Sequence, residues 1–171
     1  AAGVDYQTAT GSVTIPAGST EAFFDVNILG NTTWQPNRTL LLVMTYAGTV
    51  PVIADRATGT SLADDPKPAV SIAPASVTEG NWDTADCVFA VTLSNPGYLP
   101  VSVDASVLGG TATLGTDVQS ATATITFSPG ETSKTFTVPA VGDYDDESDE
   151  TFTARLANIA GGGAVSGTMT A

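Results

Sequence analysis

One stretch of this sequence concentrates the groups that can do chemistry. From Asp143 to Glu150, six of eight residues are carboxylates: Asp143, Asp145, Asp146, Glu147, Asp149 and Glu150. Such a run repels itself unless water or a cation intervenes. Calcium takes six to eight oxygen ligands at about 2.3–2.6 Å, mostly carboxylates and carbonyls. A loop between two strands at one end of a sandwich supplies several of these together. The competing reading of the same residues is a solvated acidic loop that keeps the chain soluble. The spacing is not that of an EF-hand, because no DxDxDG series with a glutamate at the twelfth position occurs.

Other chemistries are excluded by composition. The 171 residues contain no histidine, so no Ser-His-Asp triad and no HExxH zinc site can form. Two lysines and three arginines stand against 18 acids, for a net charge of −13. That balance argues against nucleic acid and against anionic membrane surfaces as partners. A carboxylate pair can serve a glycosidase, but no deep-pocket signature accompanies these acids, and the chain is read as non-enzymatic. The single cysteine, Cys87, excludes an intrachain disulfide framework and lies in an alternating apolar run, as a small buried hydrophobe would. No uninterrupted apolar run exceeds that of Leu40–Met44, which is too short for membrane insertion. No signal peptide is visible, and without an initiator Met the chain reads as a piece of something longer.

The elements that must position the acids are strands. Period-2 alternation recurs at Thr122–Phe127, Lys134–Val138 and Thr151–Leu156. Turn signals separate such runs at Pro16-Ala17-Gly18, Asn95-Pro96-Gly97, Gly109-Gly110 and Pro129-Gly130. This spacing predicts an antiparallel sandwich or barrel with no significant helix. An internal repeat organises the whole. Gly3-Val4-Asp5-Tyr6 lies on Gly115-Thr116-Asp117-Val118, and the same register runs without a gap to Thr39–Met44 on Thr151–Leu156. The sequence therefore reads as one and a half repeats. Residues 1–63 form the C-terminal half of a unit, 64–68 a proline-containing linker and 69–171 a nearly complete unit. The charge is uneven: residues 1–62 hold four acids against two arginines, and nearly all the excess falls in the second unit.

The ordered series Ser76-Val77-Thr78-Glu79-Gly80, Gly115-Thr116-Asp117, Ser128-Pro129-Gly130-Glu131, Gly142-Asp143 and Asp149-Glu150-Thr151-Phe152 resembles the Calx-beta repeat. That family includes regulatory domains of sodium–calcium exchangers and many bacterial surface proteins. The resemblance covers 69–171 as one repeat and 1–65 as the second half of another. It implies an all-β fold, tandem immunoglobulin-like Greek-key sandwiches, with calcium at one end of some members. Carried onto this chain, it implies metal ligands at Glu79, Asp117, Asp143, Glu147 and Glu150. Asp145, Asp146 and Asp149 are neighbouring candidates or backbone donors. A terminal acidic run completes the family's site. Asp64-Asp65 occupy that place in the first repeat, and the sequence ends at Ala171 where the second would begin, which implies one or two weaker ions. The first repeat's counterpart loop, 31–38, has lost every acid and carries Arg38 in place of Glu150. Calcium is expected in the second repeat only.

The half repeat poses a packing problem. Leu40, Leu42 and Met44 alternate with Leu41 and Val43, so both strand faces are apolar, and Phe23 adds to the outer face. Phe24, Leu40, Leu42 and Met44 require an opposing sheet. Phe23, Phe24, Trp34 and Leu40 through Met44 (Leu40, Leu41, Leu42, Val43, Met44) are therefore read as an assembly surface. Neighbouring repeats, copies of the same chain, or a cell-surface or matrix protein would cover it. The function this suggests is a structural repeat of an extracellular bacterial surface protein, stalk, adhesin or filament, stiffened by calcium. The alternatives are a regulatory calcium sensor like those of the exchangers and an accessory domain of a secreted enzyme.

Overall fold

The computed structural model describes residues 2–46, 51–162 and 169–170. These residues form strands, bridges and turns, with no helix and therefore no helix long and apolar enough to cross a membrane. The chain divides into two units. One comprises Ala1–Thr32 and Asn37–Leu62; the other comprises Thr33–Pro36 and Ala63–Ala171.

The second unit is a sandwich of two antiparallel sheets. One sheet has the order β3 (Val70–Ile72), β4 (Thr84–Leu93), β7 (Ser133–Val141). The other has the order β6 (Thr122–Phe127), β5 (Val101–Leu108), β8 (Thr153–Gly161), β9 (Met169–Thr170). Alternation drives the packing, because successive side chains on a strand point to opposite faces. Cys87, Phe89 and Val91 of β4 and Phe136, Val138 and Ala140 of β7 are buried. So are Val101, Val103, Ala105 and Val107 of β5, Ile125 and Phe127 of β6, and Ala154 and Leu156 of β8. The residues between them on β4 and β7 are mostly exposed. The three alternating runs read in the sequence correspond to β6, β7 and β8. The last begins two residues later and runs on to Gly161 through an irregularity opposite Ser102–Asp104. There Asn158 takes a positive φ of 52° and its amide donates to Asp104 at 3.0 Å.

The first unit contains β1 (Arg38–Val43) and β2 (Arg56–Ser61), paired antiparallel. Leu40 and Leu42 are half-buried on one face, whereas Leu41 and Val43 are exposed on the other. Phe24 is half-buried; Phe23, at 78% exposure, and Met44 stand in solvent. Every buried hydrophobic side chain among the described residues lies between Pro68 and Leu156, in the second unit. The first unit thus has the alternation of a sandwich half without a closed core. Trp34, which the sequence groups with its apolar residues, belongs to the second unit. Its N–H donates to the Pro96 carbonyl at 3.1 Å and its carbonyl accepts from Tyr98 at 3.0 Å. The Lys67 ammonium sits 5.8 Å above its ring centroid.

The repeat read from the sequence is also a repeat of backbone bonding. Gly3 N–H donates to Tyr6, as Gly115 does to Val118. Gln7 donates to Asn27, as Gln119 does to Pro139, and Leu29 to Asp5, as Val141 does to Asp117. The antiparallel bridge Tyr6–Ile28 has its counterpart in Val118–Ala140. All of these pairs keep the single register that sets Gly3 on Gly115.

Candidate metal centre

The acidic loop joins β7 to β8 and is tied down at both ends. At its start, Gly142 N–H donates to the carbonyl of Asp83 at 3.0 Å. Gly142 packs so tightly on the segment 79–80 that an added Cβ would lie 2.8 Å from the Gly80 oxygen and 2.9 Å from that of Glu79. This close approach brings Glu79 to the mouth of the loop. At its end, the Thr151 carbonyl accepts from Ala112 at 3.0 Å, and Thr151 N–H donates to the Thr111 hydroxyl at 2.7 Å. Gly110 lies against the same carbonyl, where a Cβ would collide with it. Phe152 then enters the sandwich, edge-on to Phe89 at 5.8 Å.

Asp117 reaches the site from a third segment. Its Oδ2 accepts from Thr113 N–H at 2.6 Å, closing the turn 113–118, and its carbonyl accepts from Val141 at 2.8 Å. Carboxylate oxygens of Asp117, Glu147 and Glu150 lie within 4.8 Å of one another. Although Glu147 is exposed, local loss of water raises its carboxyl above the ordinary range, and the negative charges of Asp117, Asp143, Glu79 and Asp145 add to the shift. Glu150, also exposed, is raised likewise by local loss of water, by the charge of Asp117 and a hydrogen bond with it, and by Glu147 and Glu79. Within the loop, Asp145 N–H donates to Asp143 Oδ1 at 2.8 Å.

The donor set is oxygen-only and carries three charges at its centre. Two oxygens on opposite sides of one calcium stand roughly 4.6–5.2 Å apart, twice the usual ligand distance. A spread within 4.8 Å matches that span. Hard oxygen donors with no nitrogen or thiolate suit calcium or magnesium rather than zinc or copper.

The chain as a whole matches one family model, the Calx-beta domain, over residues 1–67 and again over 68–170. This chain belongs to the Calx-beta family. Among solved structures, the apo-form Calx CBD1 domain is 22% identical, covering 61% of this chain and 94% of that one, with a TM-score of 0.51. The likeness extends the family match to the fold, an all-β sandwich. The calcium binding domain CBD12 of CALX1.1 is 26% identical over 50% of this chain and 37% of that one, at a TM-score of 0.45. CBD12 from CALX1.2 is 20% identical over 93% of this chain and 63% of that one, at 0.47. No curated protein matches the chain.

Of the Calx-beta ligands implied by sequence, the fold brings Asp117, Glu147 and Glu150 together. It sets Glu79, Asp143 and Asp145 near enough to act on Glu147 electrostatically. Asp146 and Asp149 are exposed on the loop and lie outside the three-carboxylate cluster. Sequence reasoning missed the anchors Gly110, Thr111, Gly142 and Thr151. Their signal was present in the glycines flanking the loop's neighbours, but a close backbone approach between distant segments has no local pattern.

Proposed function

We propose that this chain is a non-enzymatic Calx-beta module whose second repeat binds calcium. The observation that carries the reading is the convergence of Asp117, from the 113–118 turn, with Glu147 and Glu150 of the β7–β8 loop within 4.8 Å. Their mutual repulsion is relieved when a divalent cation sits among them, and Glu79, Asp143 and Asp145 lie close enough to add negative charge. On binding, the cation supplies only charge and coordination. It cross-links the 113–118 turn to the β7–β8 loop and stiffens that end of the sandwich.

The finer reading is a structural repeat of an extracellular bacterial surface array, in which the first unit is completed by strands from a neighbouring repeat or another copy. The exposure of Phe23, Leu41, Val43 and Met44 and the lack of a buried hydrophobic core among the described residues of the first unit support it. Isothermal titration calorimetry of the whole chain with calcium and magnesium tests the ion. Wild type should bind calcium, and D117N and E150Q should each lose at least tenfold in affinity. Calcium heats unchanged by both substitutions would overturn the site. Light scattering with and without EDTA tests assembly: a monomer in both buffers removes the strand-completion reading and leaves the calcium site standing.

A further inference from the structure

The backbone register that sets the two repeats on one another also superposes their sites. Asp5 stands at the place of Asp117, Asn31 at that of Asp143 and Arg38 at that of Glu150. In the second unit this place gathers carboxylates. In the first unit it holds a part-buried ion pair. Asp5 is the one charged residue classed as buried among those described, at 6% exposure. A single nitrogen of Arg38, Nη1, donates to both its carboxylate oxygens, at 2.6 and 2.7 Å. One positive centre astride both oxygens of an aspartate is how a cation sits on a bidentate carboxylate.

We infer that Arg38 is a built-in replacement for a divalent cation, locking the first repeat's site permanently. The guanidinium is always charged and reaches Asp5 from the start of β1, whereas Asp5 belongs to the turn that precedes Tyr6. It therefore ties turn to strand in the first unit as the cation would tie turn to loop in the second. The two repeats divide the labour: one is fastened by an ion pair from its own side chain, the other only when calcium is supplied. Calcium then tunes one repeat of the pair without loosening the other. The comparison with the second repeat rests on the calcium reading above; the lock itself rests on the Asp5–Arg38 geometry.

Amide hydrogen exchange on the intact chain tests this. Leu29 N–H is bonded to Asp5 and Gln7 N–H to Asn27; their counterparts are Val141 and Gln119. Protection at Gln7 and Leu29 should be the same in EDTA and in calcium, and should fall at least tenfold in R38Q under both conditions, with R38K restoring part of it. Protection at Gln119 and Val141 should rise with calcium in all three proteins. Calcium-dependent protection at Gln7 and Leu29 in wild type, or full protection in R38Q, would overturn the lock. A flat response at Gln119 and Val141 would instead overturn the calcium reading of the second unit. A gain-of-site arm adds a readout that mere loss of packing does not produce. In a D117N/E150Q background, N31D/R38E should create terbium binding, seen as sensitised luminescence, where the background has none. An N31D/R38E chain whose β-sheet circular dichroism is retained and which binds no terbium would count against the assignment.

Discussion

Leu156 lies at the centre of the second unit's stability. It is fully buried on β8, paired with Ala105 of β5, six residues after the last acid of the loop. Leu156→Ala removes three carbons from a site with no exposed surface. At about 0.8 kcal/mol for each buried CH2, the lost transfer energy is about 2.4 kcal/mol. A sheet residue clamped by its ladder relaxes little, and the residual cavity raises the cost to about 3–4 kcal/mol. With a urea m-value of about 1.5 kcal/mol/M, the midpoint falls by about 2–2.7 M. Urea titration of the intact chain followed by far-UV circular dichroism measures this. Leu41→Ala, at a residue 58% exposed in the first unit, is the control and should cost no more than about 0.5 kcal/mol. Calcium at a hundred times its dissociation constant should raise the midpoints of wild type and L156A by the same free energy, about 2.7 kcal/mol. A loss below about 1 kcal/mol for L156A, or equal losses for both leucines, would refute the placement of the core in the second unit alone.

The pH dependence follows from Glu147 and Glu150, whose carboxyls are raised above 4.5 in the folded chain. In that window the folded state binds more protons than the unfolded, so without calcium the second unit gains stability as pH falls from neutral toward about 4.5. Urea midpoints at pH 7.5 and 5 in EDTA should show the rise; in calcium the rise should vanish or reverse, because protons then compete with the ion. E150Q should stabilise the calcium-free chain by removing one repelling charge and lose the calcium response, both seen in the same melts. Gly142→Ala places a methyl on the Glu79 and Gly80 carbonyls and should weaken calcium at least tenfold in calorimetry while the far-UV spectrum stays unchanged. Cys87 is buried and burial pushes its thiol above 9.0, so a disulfide reagent should label it only in denaturant; rapid native labelling would show β4 to be open.

The alternating runs and the ordered motifs made the second unit's architecture legible. Period 2 fixes which side of β4, β5 and β7 faces inward, and two sheets follow from that constraint. The acidic loop was legible because like charges so dense have few explanations. Its anchoring was not. Thr111 and Thr151 are forty residues apart and meet only once the sandwich has closed. The extension of β8 past Leu156 was missed because an irregularity breaks the alternation at Asn158. Arg38 stands out in the sequence as the base that breaks the acidic pattern of its loop, yet its pairing with buried Asp5 spans 33 residues and follows from no local rule.

The tethers at Gly142 and Thr151 make the acidic loop a span of fixed end-points, and that changes how its affinity can be tuned. Between such anchors, lengthening the loop acts through closure entropy, and doubling its length costs only about 0.6 kcal/mol, roughly a threefold change in affinity. A shift in acid spacing or loop length can therefore retune the ion response in small steps. The β4–β7 and β5–β8 pairings and the apolar layer between the two sheets need not change, so on the calcium reading the ion response and the packing of the sandwich can vary independently.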